Sequence, residues 1–287
     1  MTLNNLAVLH KNLTRYDEAE KEYKEALKIR RELAKTNRDA YIGDVAMTLN
    51  NLGLLHYNLT RYDEAEKEYK EALEIRRELA KTNPDAYIGK VANILNNLAI
   101  LHDDLTHYDE AEEEYKEALE IRRELAETNR DAYIGDVAMT LNNLAALHYA
   151  LTRYGEAETE YKKALEIYRK LAKTNRDAYI GNVADTLNNL AILHRNLTHY
   201  DEAEKEYKEA LEIYRELAKA NRDAYIGDVA MTLENIARLQ EATNRNAEAR
   251  KTAEEALGIY KELAKAYPQI WNRYVEKTEQ LLKVLSE

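Results

Sequence analysis

The sequence predicts an all-α protein, a right-handed α-solenoid of six 46-residue helix–turn–helix repeats followed by a C-terminal capping helix. The first observation behind this is a stretch, Thr-Leu-Asn-Asn-Leu-Ala-x-Leu-His, that begins at Thr2 and returns every 46 residues. A fixed period of this length is typical of repeat arrays, in which each unit packs only on its neighbours. The second is the spacing of apolar residues, which is helical in both halves of each copy. We therefore expect one solenoid over residues 1–287.

The period divides the chain into six repeats and a short remainder. The predicted boundaries are 1–46, 47–92, 93–138, 139–184, 185–230 and 231–276, with a capping helix over 277–287. In the remainder, Leu282 and Leu285 fall on leucine positions of the repeat's first helix. The last copy also departs from the pattern, since Asn246 and Trp271 replace recurrent tyrosines. These changes are typical of a terminal cap, which needs no further neighbour.

The second half of each repeat is predicted to form a helix, here called helix B. In the second copy it spans 62–82, and Ala65, Tyr69 and Leu73 lie on its apolar face. Thr60 precedes this helix, and its hydroxyl is expected to accept a hydrogen bond from a free amide of the first turn.

The first half of each repeat is predicted to form helix A, which in the second copy spans roughly 39–58. Asn37 and its counterparts precede it, and asparagine is a favoured N-cap. Gly43 lies within the helical pattern, so both a continuous and a bent helix remain open. Only two or three residues separate the helices, so each pair is expected to form an antiparallel hairpin. The chain should contain thirteen helices and no strand, with the A helices on the inner wall.

Composition excludes several classes of partner and site. The formal charge is −11 with both signs interspersed, which argues against nucleic acid and anionic membranes as partners. There is no cysteine for disulfides or thiolate metal sites, and no apolar run is long enough to span a membrane. No phosphate loop, nucleophile elbow or zinc-protease motif occurs, so we expect neither an enzyme nor a cofactor. The absence of a signal peptide favours a cytoplasmic location.

Two motifs recur in the copies, Leu-Asn-Asn-Leu-Ala-x-Leu and Tyr-x-Glu-Ala-Glu-x-x-Tyr-x-x-Ala-Leu-x-Ile, as at 49–55 and 62–75. Together they resemble the tetratricopeptide repeat in its longer, kinesin-light-chain-like form, and the resemblance covers the whole chain. The family's small residue at the helix crossing corresponds to Gly53 and Ala99. The period of 46 exceeds the family's common value of about 34 residues. The resemblance implies binding of a peptide or protein segment along a concave groove.

The positions that differ between copies lie mainly on one face of helix A. Steps of three, seven, three and one residues separate Asp44, Met47, Leu54, Tyr57 and Asn58, which places them together at about 100° per residue. This face is opposite the leucines that must be buried, so it is predicted to line a ligand-binding groove. The expected groove residues are Asn50, Leu54, Tyr57, Asn58, Asn96, Ile100, Asp103, Asn142, Tyr149, Asn188, Ile192, Arg195 and Asn196.

The constant asparagines beside this face have two interpretations. The resemblance implies that Asn50, Asn96, Asn142 and Asn188 bond the backbone of a bound peptide, since each amide offers donors and an acceptor. Alternatively, the asparagines bond each other between repeats, and the variable face has merely drifted.

The five histidines at His10, His56, His102, His148 and His194 occur once per repeat. Metal binding would need ligands within a few ångströms, whereas packed helices lie about 8–10 Å apart. We therefore expect no metal, but a packed, hydrogen-bonded ladder between A helices. His107 and His199 are expected on the surface.

The leading functional hypothesis is a non-enzymatic scaffold for a peptide or protein segment, and the alternative is a self-assembling array without a dedicated ligand. The first copy lacks the Asn-Arg-Asp-Ala segment that precedes the later A helices, so Leu3 and Leu6 are expected to be partly open. Uncovered stacking faces expose apolar surface. The first repeat is therefore expected to associate either with a second copy, as a homodimer, or with a region upstream of it.

Overall fold

The structure, a computed structural model, describes residues 2–286. These residues form thirteen α-helices and no strand, as predicted. The helices are α1 (Thr2–Asn12), α2 (Tyr16–Thr36), α3 (Arg38–Asn58), α4 (Tyr62–Thr82), α5 (Pro84–Asp104), α6 (Tyr108–Thr128), α7 (Arg130–Ala150), α8 (Tyr154–Thr174), α9 (Arg176–Asn196), α10 (Tyr200–Ala220), α11 (Arg222–Ala242), α12 (Asn246–Ala266) and α13 (Pro268–Val284).

The chain divides into two compact units, the first ending at Leu147 and the second beginning at His148. In unit 1, α3 packs against both α2 and α4, and it also touches the A helices α1 and α5. Unit 2 repeats this pattern, with α10 between α9 and α11 and a contact between α9 and α11. Each unit is therefore a stack of helical hairpins, which confirms the predicted all-α repeat class. One solenoid over 1–287 stays a prediction.

The asparagine caps are confirmed. Asn37 Oδ1 accepts a hydrogen bond from the Ala40 amide at 3.2 Å, and Asn83 does the same for Ala86 at 3.3 Å. Asn accepts well at this position because its side chain satisfies an amide that the first turn leaves free. Helix A continues through Gly43 without a break, so the continuous alternative holds.

The expected role of Thr60 is wrong. Its hydroxyl donates to the Leu59 carbonyl at 2.7 Å, and helix α4 begins after Arg61 with no side-chain cap. Thr60 instead ends α3, with a positive φ of 58°. The Arg61 amide bonds the His56 carbonyl at 2.8 Å and the Thr60 amide bonds the Tyr57 carbonyl at 2.9 Å. This is the Schellman pattern of a helix C-terminus, where glycine or asparagine is common.

The capping helix begins earlier than predicted. It is α13, which starts at Pro268 rather than at Lys277, because the proline takes the first helical position. Trp271 and Tyr274 stack on Tyr260 with ring centroids 5.8 and 5.3 Å away, which covers the last hairpin. The predicted end of the cap, Glu287, lies outside the described residues, as does Met1 at the start of the first repeat. The boundaries predicted at 46/47 and its equivalents fall inside A helices.

The repeated histidines connect three helices. His56 Nδ1 lies 2.8 Å from Glu68 of its own hairpin, and Nε2 lies 3.2 Å from Glu20 of the preceding hairpin. The histidines thus form a buried ladder as expected, but their partners are glutamates of B helices rather than groups on other A helices. A neutral imidazole has one N–H, so both nitrogens donate to carboxylates only when the ring is protonated. His107 and His199 are exposed, as predicted.

Carboxylates hold His102 and His194 toward the charged form. Hydrogen bonds to Glu114 and Glu66 raise the pKa of His102, although burial opposes the shift. His194 has the same arrangement with Glu206 and Glu158, and its pKa is raised for the same reasons. Although burial opposes it, hydrogen bonds from Lys24, His56 and Arg61 lower the pKa of Glu20 to about 2.

A first prediction concerns the positive φ of the recurrent threonine. A residue with a Cβ costs roughly 1–2 kcal/mol in this region, whereas glycine tolerates it. Thr106 has a φ of 61°. The substitution Thr106→Gly should therefore raise the protein's free energy of unfolding by about 1 kcal/mol. Urea unfolding measures this, and Thr82→Gly at an ordinary helix end is the matched control. Equal effects of the two substitutions would contradict the assigned strain.

A second prediction concerns pH. Since His56, His102 and His194 have raised pKa values in the folded chain, their stabilisation is complete below the unfolded value of 6.5. It is lost as the pH rises through the folded pKa. We therefore expect the melting temperature to fall between about pH 6 and pH 8.5. The double variant His102→Gln/His194→Gln should melt lower at pH 6 and show a smaller fall. If the melting temperature of this variant falls with pH as steeply as that of the wild type, the histidines are not the cause of the fall.

Candidate functional site

The face of helix A that varies between copies remains accessible in both units. Met47 in unit 1 is 37% exposed, while its helix neighbours Leu49 and Leu52 are each 1% exposed. In unit 2, Ile192 is half-buried between the fully covered Ala191 and Leu193. We call this surface the A face, and define it by the positions equivalent to 44, 47, 50, 54, 57 and 58 of the second copy. Its side chains can change without disturbing the hairpin core.

The constant asparagines form a ladder along the A face. Asn97 Nδ2 donates to Asn50 Oδ1 at 3.1 Å, and Asn235 Nδ2 donates to Asn188 Oδ1 at 3.3 Å. These bonds are the inter-repeat contacts of the alternative interpretation. They use only the oxygens of Asn50 and Asn188, whose own NH2 groups have no acceptor among the described residues. The ladder therefore positions the amides and still leaves donors for a ligand.

Asn96 differs from its counterparts because it is 4% exposed. Its Oδ1 accepts from Arg122 Nη1 at 3.3 Å and from Asn143 Nδ2 at 3.5 Å. This asparagine contributes mainly to packing. Asn142 is half-buried, with its Oδ1 shielded from solvent and without a hydrogen-bond partner among residues 2–286.

The end of the A face in unit 1 is acidic and aromatic. Tyr57 Oη donates to Asp104 at 2.5 Å, and the Tyr57 ring lies 5.9 Å from that of Tyr62. Burial and the charge of Asp104 raise the pKa of Asp103. Burial and the same carboxylate raise the pKa of Tyr57. The tyrosine is therefore fixed as a neutral donor.

A cavity of about 220 Å³ opens on the A face of unit 1, between α3, α4 and α5. It is lined by Ala46, Met47, Asn50, Arg76, Lys90, Asn93 and Ile94. Arg76 is 6% exposed, and it comes from helix B rather than helix A. Burial lowers the pKa of Arg76, while burial and the nearby Arg76 charge lower that of Lys90.

Sequence reasoning missed Arg76 and its counterparts. The same helix B position is Arg30, Arg76 and Arg122 in the first three copies, and Tyr168, Tyr214 and Tyr260 in the last three. This difference lies on helix B, whereas the predicted site rested on variable positions of helix A alone; the arginine-to-tyrosine change was the signal that could have found it. The buried side chains extend from helix B to the A face and change its chemistry.

The A face of unit 2 holds a second cavity, of about 260 Å³. Its lining includes Asn188, Ile192, Tyr214, Asp228, Met231, Glu234 and Tyr274. Tyr214 Oη donates to Asp185 at 2.5 Å, and burial together with the Asp185 charge raises the pKa of Asp228 to about 6. Burial also raises the pKa of Asp185 itself. This cavity therefore presents carboxylates and phenol groups beside one lysine, Lys277, whereas the lining of the unit 1 cavity holds two cations and no carboxylate.

The remaining predicted residues lie nearby within their own units. Tyr149 Oη accepts a hydrogen bond from Asn196 Nδ2, and the Tyr149 ring lies 5.8 Å from that of Tyr154. Arg195 is half-buried near the phenol of Tyr207. Burial raises the pKa of Tyr207, and the positive charge of Arg195 offsets part of that rise. The structure thus brings Asn50 to one cavity and Asn188 and Ile192 to another. It leaves the other predicted residues on the A face outside them, namely Leu54, Tyr57, Asn58, Asn96, Ile100, Asp103, Asn142, Tyr149, Arg195 and Asn196.

The described residues, 2–286, offer neither a metal site nor a membrane span. No cluster of three or more His, Asp or Glu side chains close enough to bind one ion occurs within residues 2–286. None of the helices in that range is both long and apolar enough to cross a membrane.

Comparison with known proteins identifies the repeat. A tetratricopeptide repeat profile matches residues 44–124, 136–216 and 182–262, and a second one matches residues 1–37. No curated protein sequence matches the chain.

Solved structures share this fold. BtubC (BKLC) from P. vanneervenii is 25% identical, with a TM-score of 0.68 over 86% of this chain and 92% of its own. The apo form of RapI is 16% identical, with a TM-score of 0.64 over 98% of each chain. A Rap protein complexed with Competence and Sporulation Factor is 17% identical, with a TM-score of 0.61 over 99% of this chain and 75% of its own. The repeated motifs, the stacked hairpins and the matching profiles show that the chain belongs to the tetratricopeptide repeat family.

Proposed function

We propose that the chain is a non-enzymatic interaction scaffold whose A face binds an extended or helical segment of a partner protein. One observation carries the proposal. Both cavities described on the A face are lined by a ladder asparagine, Asn50 or Asn188, whose NH2 group has no acceptor within residues 2–286. An amide held in place by its own oxygen is ready to donate to a peptide carbonyl, which lowers the entropic cost of binding.

The variable side chains supply selectivity beside these constant donors. Leu54 and Ile100 offer apolar contact in unit 1, while Ile192 and Met231 do so in unit 2. Charged groups of opposite sign lie next to them in the two units. A scaffold with constant backbone donors and variable side-chain contacts suits a peptide, because peptides share their backbone and differ in their side chains.

The similar folds support a binding function for this scaffold. The Rap protein mentioned above was solved with Competence and Sporulation Factor bound to it. At 17% identity, the likeness to this Rap protein supports a shared fold and does not identify the partner of the present chain. The cytoplasmic location expected from the sequence stays a prediction.

Blocking the A face tests this function. Segments are first selected from a displayed random peptide library on the intact chain, and their affinities are measured by fluorescence anisotropy. Ile100→Arg and Ile192→Arg place a long charged side chain on the A face of each unit. We expect affinity to fall at least about tenfold, which corresponds to about 1.4 kcal/mol, with helicity retained.

The matched control is Thr159→Arg, which adds the same charge at an exposed position of helix α8. This variant should bind selected segments as the wild type does. Full affinity in both A-face variants, with selected segments that still bind, would place the binding surface elsewhere.

Association through the first hairpin is a second proposal, favoured by its exposed leucines. Leu9 and Leu13 are 52% and 53% exposed, whereas the Leu55 that corresponds to Leu9 is fully covered by the preceding helix B. A second copy is the occupant that we propose for this face. Light scattering should show a mass that rises with concentration, and Leu9→Glu/Leu13→Glu should keep the chain monomeric. A wild type that stays monomeric at all concentrations would rule out this association.

A further inference from the structure

The unit 1 cavity is lined by hydrogen-bond donors without a matching acceptor. Arg76 makes one hydrogen bond, from Nη2 to the Gly43 carbonyl at 2.7 Å. Its guanidinium lies 5.5 Å from the Tyr87 ring centroid, and Lys90 Nζ lies 5.0 Å from the same ring. Two cations that line the cavity therefore both lie over the same aromatic ring. No carboxylate lies within 4.0 Å of either cation in the part of the chain that the structure describes.

The equivalent arginines of unit 1 are held differently. Arg122 donates to the Thr140 hydroxyl, to the Asp136 carbonyl at 3.3 Å and to Asn93 Oδ1 at 2.9 Å. Arg30 likewise donates to the Thr48 hydroxyl and to the Asp44 carbonyl at 3.1 Å. These arginines are structural, because their N–H groups are bound to the next A helix.

Two sequence differences release Arg76 from this arrangement. Ile94 replaces the threonine that would accept from the guanidinium, and Lys90 replaces the aspartate beside it. Asp44, whose charge acts on both Arg76 and Lys90, makes its ion pair with Arg30, since Asp44 Oδ2 lies 3.9 Å from Arg30 Nε. A buried cation without a carboxylate in ion-pair contact is costly, and a second cation beside it adds repulsion. An anion in the cavity would remove both costs.

Two amides complete the donor set. Asn50 Oδ1 accepts from Asn97, and Asn93 Oδ1 accepts from Arg122, so each asparagine presents its NH2 group elsewhere. Neither NH2 group has an acceptor among the described residues. Both residues line the cavity, together with Arg76 and Lys90. Four donor-bearing side chains thus line a cavity of about 220 Å³.

We propose that this cavity binds a phosphomonoester group on the partner segment, so that phosphorylation of the segment controls its binding. A phosphate carries about −1.5 to −2 charges at pH 7 and three acceptor oxygens, which matches two cations and two amides. A carboxylate would neutralise only one of the cations and would use fewer donors. The inference rests on the proposed function, because the segment that carries the phosphate lies along the A face.

The test starts from small probes, which need no partner segment. Inorganic phosphate and O-phosphoserine are titrated into the full chain, and the side-chain Nε–H signal of Arg76 is followed by NMR. We expect saturable shifts for both probes, with glutamate at least about tenfold weaker because it has one charge and a planar head. Equal binding of glutamate and phosphoserine, or no saturation by phosphate, would overturn the proposal.

A loss-of-function variant can be made by giving Arg76 the threonine and aspartate that lie beside Arg30 and Arg122. Lys90→Asp/Ile94→Thr recreates the surroundings of Arg30 and Arg122, so it should fold and hold Arg76 in place. Phosphate affinity should fall at least about tenfold, since one cation is replaced and the other is bound by threonine. Lys67→Asp, on the exposed surface of α4, makes the same charge change and should bind as the wild type does. Equal affinity in the double variant would reject the site.

A final experiment uses the bound segment and separates the phosphate proposal from the proposal that the A face binds a peptide. A selected A-face segment is compared with and without a phosphoserine placed at each position in turn. We expect at least one position at which phosphoserine tightens binding about tenfold or more in the wild type and not in Lys90→Asp/Ile94→Thr. If phosphoserine tightens binding at no position, the phosphate proposal is overturned. If the unmodified segment still binds and Ile100→Arg blocks that binding, the proposed function of the A face is retained.

Discussion

The close contact between the two helices of each hairpin is the constraint on which the rest of the structure depends. At Gly53 an added Cβ would lie 2.8 Å from the Tyr69 ring, and the other copies use alanine at this crossing. Only small residues permit this approach, and the tyrosine fills the space that remains. Since Tyr69 is 1% exposed, the crossing cannot change without loss of packing. Variation is therefore confined to surfaces that face away from it, which include the A face.

Local sequence signals predicted most of the fold. The asparagine caps and the helical spacing gave the helix bounds of the second copy within about one residue, because both depend on residues close in sequence. The role expected for Thr60 was wrong because threonine is a favoured N-cap residue, whereas its positive φ, which the sequence does not show, belongs to the turn after the end of α3. The start of α13 was misplaced because the repeat was aligned on its leucines rather than on Pro268.

The candidate site was less predictable than the fold. Its A-helix positions followed from their variation between copies, but Arg76 reaches the A face from another helix. Whether that arginine is structural or available depends on Ile94, which is eighteen positions away in sequence and adjacent in space. Such a relation becomes visible only once the hairpins are stacked. The same limit applies to Tyr214, whose partner Asp185 lies on a different helix.

Near-identical hairpins carry a hazard during folding, since any of them could dock on the wrong neighbour. The junctions described above differ enough to oppose this. Arg122 finds a hydroxyl at Thr140, whereas at Ile94 the same guanidinium would meet a methyl group, and Tyr214 finds a carboxylate at Asp185. A hairpin docked on the wrong neighbour would separate polar side chains from their native partners, as Arg122 would be separated from Thr140, and this cost disfavours the wrong docking. The side chains that diversify the A face therefore also favour correct docking wherever neighbouring junctions differ, as they do at Thr48, Ile94 and Thr140.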